Sequence, residues 1–336
     1  MTTQKININS PEFIVELVKH FGSNHIQDLE ETYRQCENRV EVRNENNPKN
    51  CVGCNLEGYD YLYKHKQDTS YHCQQENFIY AIRTMPCHAD ELYNAFCNIN
   101  NKENQYFAIG FLSSKKRLNI ASIGFGCGTD VLAILKILNQ INIILNQINI
   151  YNINNDNELS EYNQIQELNV LRIDDQTENW QQSADAVLDF IENNGYIKDN
   201  LNFLVTEDET DFIENTDIFI MSYVYNELNQ EEKNIIYQKI SHLASKHFLL
   251  IVNDYDGAGH NYFLEKLFGG FDYENFGFEK INSSGWNCNK KEASFKSQVK
   301  SWCYTNLNNI SFRDRYAMKV NMKSICYIFE FKRIEK

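Results

Sequence analysis

The stretch Ile120-Ala-Ser-Ile-Gly-Phe-Gly-Cys-Gly-Thr-Asp130, IASIGFGCGTD, decides how the rest of the chain reads. A short apolar run ends in glycines at alternate positions, Gly124, Gly126 and Gly128, and Thr129-Asp130 follows. Bare backbone at that density turns tightly and lets a ligand approach closely. Two familiar phosphate loops fit poorly. A dinucleotide fingerprint is GxGxxG, and Thr129 stands where its third glycine would be. A P-loop is GxxxxGK[ST], and no lysine follows here.

Outward from this loop, short apolar runs alternate with amphipathic segments. LNIASIGF (118–125) reads as a buried strand, and Thr129 to about Leu145 as a helix. LNVLRID (168–174), LNFLV (201–205), DIFIMSY (217–223) and HFLLIVND (247–254) read as further strands. Helices are expected near Trp180–Asn193, Gln230–Ser245 and His260–Phe268, and Asn229 with Glu232 makes a capping box for the second of these. Strands separated by helices imply an α/β fold with a parallel sheet and right-handed crossovers. At the end, RYAMKV and SICYIFEFKRI read as two strands forming an antiparallel edge hairpin.

Before the loop the texture is helical. Ser10-Pro11-Glu12 opens a helix, since Ser caps, Pro suits the first turn and Glu complements the helix dipole. A second amphipathic segment spans about Ile26 to Val42, and Phe78 to Ile109 is helical again, with Pro86 opening a new helix. The expected organisation is a mostly helical N-terminal cap or substrate region, 1–112, and a ligand-binding domain, 113–336. ILNQINI occurs at 137–143 and again, identically, at 144–150. Two copies are too few for a coiled coil. They read as a tandem duplication that lengthens the first crossover, with the polar run 151–163 as a surface loop.

IASIGFGCGTD resembles the first motif of class I S-adenosylmethionine (SAM)-dependent methyltransferases: an apolar strand, GxGxG, a small residue and an acidic one. The resemblance covers roughly Leu118 to Lys336. It implies a Rossmann-like, seven-stranded, mostly parallel sheet with an antiparallel last strand, and SAM as cofactor. It also implies contacts of SAM with Gly124, Phe125, Gly126 and Gly128, and a helix start at Thr129 facing the SAM carboxylate. Asp130 would orient the loop or meet the SAM amino group. The family's ribose-gripping acid, at the end of the second strand, corresponds to Asp174, with Asp175 as alternate. The adenine-side acid corresponds to Glu207 or Asp208. Ser222 and Tyr223 would lie beside the cofactor after the fourth strand. Tyr225, Asn226 and Glu227 would face the substrate mouth.

Methyl transfer needs alignment of a nucleophile and, for some acceptors, a base. Tyr225, Glu227 and Asp254 are the catalytic candidates; His260 is a further possible base, and Asn253 and Tyr255 flank Asp254 after the fifth strand.

Composition narrows the partners. The 336 residues carry a net charge of −14, which disfavours a phosphate-rich partner, so nucleic acid is not expected. Lys115-Lys116-Arg117 is the densest basic run and reads as a solvated turn. The start, MTTQKININS, has no apolar core, and no run approaches a membrane span of about 20 residues. Ten cysteines without a secretory signal point to reduced thiols and a cytoplasmic location. Cys51-Val-Gly-Cys54 is one CxxC, with Cys36, His72, Cys73, Cys87 and His88 in the same region. A second CxxC is lacking, so no metal is assigned and these thiols read as small buried hydrophobes. Cys127 contributes backbone to the loop, while Cys288, Cys303 and Cys326 read as core. The expected activity is methylation of N or O on a small-molecule acceptor. The alternatives are a protein or tRNA substrate, and a non-catalytic methyltransferase-like binding protein.

Overall fold

The strand order follows from which apolar runs are buried on both faces. Arg117–Ile123 (β2) and Thr216–Ser222 (β6) are almost wholly buried, as central parallel strands must be. Asn202–Thr206 (β5) is half exposed and forms an edge. A computed structural model describes residues 5–24, 74–100, 107–154, 165–175, 177–196, 201–225, 228–254, 273–288, 291–299, 301, 319, 322 and 324–334. Among them, seven strands form one sheet in the order β5-β3-β2-β6-β7-β9-β8. The remaining members are β3 (Glu167–Ile173), β7 (Ala244–Asp254), β8 (Phe278–Asn287) and β9 (Ile325–Arg333). β5, β3, β2, β6 and β7 pair in parallel, and β9 is antiparallel to both β7 and β8.

The helices before β2 are α1 (Pro11–Asn24), α2 (Gln74–Arg83), α3 (Met85–Asn100) and α4 (Phe107–Ser113); those within the sheet are α5 (Thr129–Asn154), α6 (Thr177–Asn194) and α7 (Gln230–Leu243). From β2 the chain steps twice in one direction, to β3 and then β5. From β6 it steps the other way, to β7. Right-handed crossovers then place α5 and α6 on one face and α7 on the opposite face. The two cores agree. Ile120, Ile218, Ile220, Leu249 and Ile251 pack with α1–α3, α5 and α6. Their alternates Ala121, Ile123, Phe219, Met221, Leu250 and Val252 pack with Tyr237, Ile240 and Leu243 of α7. The first helices join the sheet directly: α3 lies against α5 and β8, and α2 against α6. A short parallel bridge, β1 (Ile6–Asn7) to β4 (Gly195–Tyr196), ties the N-terminal segment to the end of α6.

Two expectations are revised. The last strand is antiparallel as expected, but it is no edge hairpin. β9 is inserted between β7 and β8, and its second partner is Phe278–Asn287, not RYAMKV. RYAMKV lies outside the described residues except Lys319, as do the segments 26–42 and 260–268. Finally, α5 continues through both copies of the tandem repeat to Asn154, past the point where a surface loop was expected. The Asn229 capping box is present: the side chain accepts from the Glu231 and Glu232 N–H groups, and Glu232 reaches back to the Asn229 N–H. No described helix is long and apolar enough to cross a membrane.

Candidate functional site

The order in which strands are added reverses between the parallel strands β2 and β6, and the carboxyl ends of strands at such a reversal are where open α/β sheets form their ligand crevice. The glycine loop follows β2, and Tyr223-Val224 follows β6. The loop takes the conformation that its composition was read to need. Gly124, Gly126 and Gly128 all have positive φ, at 72°, 54° and 91°. Gly124 is also required by space: a Cβ there would sit 2.8 Å from Val224. Gly126 differs, since a Cβ there would meet nothing nearer than 3.9 Å. It opens on a space bordered by the Trp180 ring.

The acid at the end of β3 is fastened to this loop. Asp174 Oδ2 accepts the Gly126 N–H at 2.8 Å, and Gly124 N–H donates to Ile173 O at 2.8 Å. A carboxylate accepts several hydrogen bonds at once, so holding the loop and gripping a cis-diol are compatible roles. Asp175 is exposed at the turn that follows. Beyond the loop, α5 begins at Thr129. Its first-turn N–H groups lack intrahelical partners and present partial positive charge to the crevice.

Asp130 lies beneath the loop. It is buried, and Ser122 Oγ donates to its Oδ2 at 2.7 Å. Burial pushes its carboxyl up to about 7, against which the Ser122 bond acts weakly. Its Oδ1 has no hydrogen-bond partner. Cys127 is buried within the loop, and burial pushes its thiol up to about 12, so it is no nucleophile.

The two adenine-side candidates separate. Asp208 is exposed and spends its carboxylate locally, accepting from Thr210 N–H at 2.9 Å and Thr210 Oγ1 at 2.6 Å, which holds it below its ordinary value. Glu207 instead pairs with Arg172 Nη1 at 3.7 Å, and the Arg172 guanidinium lies 5.1 Å from the Phe125 ring centre. Arg172 therefore links Glu207 to the loop. Sequence reading overlooked it because an arginine inside an apolar strand carries no motif.

Ser222 ends β6 and is approached by Asn253 Nδ2 at 3.4 Å. Tyr223 follows with φ 60°, a left-handed backbone uncommon for a tyrosine. Its N–H donates to Asn253 O at 2.7 Å. This turn sends successive tyrosines to opposite faces. Tyr223 stacks on His88 of α3, with ring centres 3.6 Å apart and planes 7° from parallel. Tyr225 goes the other way and is 1% exposed in the α7-side core. There its hydroxyl accepts from Tyr237 at 3.3 Å and Lys233 lies 4.3 Å from its ring centre. Tyr225 thus packs as core and does not face the mouth. Asp254 is buried at the end of β7, near enough to Tyr225 to raise its hydroxyl further after burial has done so. Asn226, Glu227, Tyr255 and His260 lie outside the described residues.

The structure adds a polar cluster over the carboxyl end of β6. Tyr223 Oη donates to Glu91 Oε2 at 2.5 Å. Lys319 Nζ reaches His88 Nε2 at 2.8 Å, Glu91 Oε1 at 3.3 Å and Tyr223 Oη at 3.4 Å. Tyr80 Oη lies 3.1 Å from His88 Nδ1. Burial, then the Lys319 charge, pushes His88 well below its ordinary value, so it is neutral. Burial, then Glu91, pushes the Tyr223 hydroxyl well above its own. The sequence singled out His88 only among the Cys and His residues that share a region with the CxxC. Cys87 is buried with its thiol pushed up by burial, and no cluster of metal ligands occurs among the described residues. Cys288 and Cys326 are buried, as expected; Cys303, Cys36, Cys51, Cys54, His72 and Cys73 lie outside the described residues.

No family model and no curated protein matches the chain. Solved structures with a similar arrangement include M. jannaschii TYW2 in complex with AdoMet, at 9% identity and TM-score 0.34, covering 68% of this chain and 74% of that one. A SAM-dependent methyltransferase from Methanosarcina mazei gives 11%, TM-score 0.35, and 68% and 98% coverage. One from Aquifex aeolicus gives 11%, TM-score 0.34, and 68% and 89%. Likeness this distant bears on no activity. The strand order, the antiparallel β9 and the glycine loop at the β2/β6 crevice are those of the Rossmann-like fold that the sequence resemblance implied.

Proposed function

We propose that this chain is a SAM-dependent methyltransferase acting on N or O of a small-molecule acceptor. The observation that carries the reading is the Gly126–Asp174 bond within a loop of three left-handed glycines, placed at the sheet's reversal point. The residues fit the cofactor: the open face of Gly126 admits a ligand against backbone, and Asp174 suits ribose hydroxyls. The first turn of α5 suits a carboxylate. Glu207, held by Arg172, is the better placed adenine-side acid. Bound SAM supplies an electrophilic methyl group on a sulfonium. The chain's task is then to orient the acceptor and exclude water. A net charge of −14 supports a neutral or cationic acceptor over RNA or DNA.

Calorimetric titration with SAM and S-adenosylhomocysteine tests this. Micromolar binding of both, lost in Gly126→Arg, is expected. Absence of binding to the wild-type protein would refute the reading.

A further inference from the structure

The Lys319 ammonium occupies a pocket whose other walls come from elsewhere in the chain. His88 and Glu91 lie on α3, and Tyr223 follows β6. Each of the three N–H groups of a primary ammonium has an acceptor there: an imidazole nitrogen, a carboxylate oxygen and a phenolic oxygen. A fourth side is aromatic, with Nζ 4.9 Å from the Tyr223 ring centre. The network is internally consistent. An ammonium only donates, so His88 Nε2 accepts and Nδ1–H donates to Tyr80 Oη. Tyr223 in turn donates to Glu91 while accepting from Lys319. Glu91 is 0% exposed at the back, whereas the Lys319 side chain is 27% exposed at the front. A carboxylate sealed that deeply requires a cation in front of it. The Tyr223 backbone is held in a strained region to complete the wall, and such strain concentrates at working sites.

The pocket also touches the proposed cofactor crevice at both ends. An aromatic row runs from Trp180 to Tyr80 (5.4 Å), to His88 (6.0 Å) and to Tyr223 (3.6 Å). Trp180 borders Gly126, and Val224, beside Tyr223, borders Gly124.

We propose that this pocket is the methyl-acceptor site, that it takes a small primary amine, and that the Lys319 side chain is its resident stand-in. The inference rests on the methyltransferase reading for the chemistry, though not for the recognition. The acceptor ammonium gives one proton to water as it enters, because the neutral, buried His88 is too weak a base to take it. The nitrogen lone pair so freed forms the new N–C bond as the S–CH3 bond breaks, its electrons remaining on sulfur. Positive charge ends on the methylated ammonium facing Glu91.

Lys319→Ala removes the stand-in, and n-butylammonium is the probe. Expected is calorimetric binding to Lys319→Ala at least tenfold tighter than to wild type. A melting temperature raised by about 2–4 °C at tenfold excess over the dissociation constant should accompany it. Butyltrimethylammonium, which has no N–H, should do neither, nor should butylammonium on Lys319→Ala with Glu91→Gln. If Lys319→Ala alone fails to fold, recovery of folding by butylammonium is the same readout. A variant that ignores butylammonium, or that binds the trimethyl analogue equally, overturns the proposal. SAM titration of the same variant separates the two readings. Retained SAM binding without amine binding sinks only the acceptor assignment. Amine binding by a protein whose wild type ignores SAM sinks only the methyltransferase reading.

Discussion

Asp174 Oδ2 accepts the backbone N–H of Gly126 at 2.8 Å, across 48 residues of sequence. One carboxylate thus sets the loop and, in the proposed function, meets the ribose. Asp174→Ala should weaken SAM binding by about 10–100-fold, the range for a charge-assisted hydrogen bond of roughly 1.5–3 kcal/mol. Wild-type affinity in calorimetry would remove Asp174 from the site.

The glycines should respond differently to substitution. Gly124→Ala places a Cβ 2.8 Å from Val224 on a backbone with φ 72°. A loss of about 1–3 kcal/mol of stability by urea unfolding is expected. Gly126→Arg meets no close atom at Cβ. It should retain more stability than Gly124→Ala yet abolish SAM binding. The reverse ranking would show that the crevice does not lie over Gly126.

Asp130 makes a pH prediction. Its folded value of about 7 stands above the ordinary 3.8. The folded state therefore holds the proton more tightly than the unfolded chain. That contribution to stability is complete below about 3.8 and is lost as pH rises towards 7. Asp130→Asn keeps an acceptor for Ser122 and carries no charge. Its stability relative to wild type should rise between pH 4 and pH 8 by on the order of 3 kcal/mol. A difference that stays flat across this window would show that the buried carboxyl is not perturbed.

Lys136 on α5 is ion-paired with Asp90 on α3, both side chains almost fully buried. Asp90 Oδ2 also accepts from Ser294 N–H at 2.8 Å and Ser294 Oγ at 2.7 Å. Asp90→Ala leaves a buried ammonium and should cost about 3–5 kcal/mol. The double variant Asp90→Leu with Lys136→Met should recover most of that loss. If the double variant were as unstable as the single one, the pair would be essential in its own right.

Much of this architecture was legible. The strands β2, β3, β5, β6 and β7 announce themselves because each is short and mainly apolar, and the glycine loop because few backbones need such spacing. β8 was missed for the opposite reason. FEKINSSGWN is mostly polar and half exposed, so an outer strand there leaves no hydrophobic period to read. With β8 missed, β9 was paired with the wrong segment. The acceptor-side cluster was illegible for a different reason. His88 and Tyr223 are 135 positions apart in the sequence, and only folding stacks their rings. Tyr225 was expected at the substrate mouth, two residues beyond Tyr223, but the left-handed backbone at Tyr223 sends the two rings to opposite sides of the sheet.

The tandem repeat inside α5 has a geometric consequence. Seven residues are nearly two turns, so a second copy advances the helix by about 10 Å while rotating its faces by only about 20°. The first copy buries Ile137, Leu138 and Ile141. Duplicating it therefore extends the rod outward and leaves those contacts in phase. A chain can gain or shed such a unit as a mechanic adds a length of pipe: the joint at Gly128-Thr129 never registers the change.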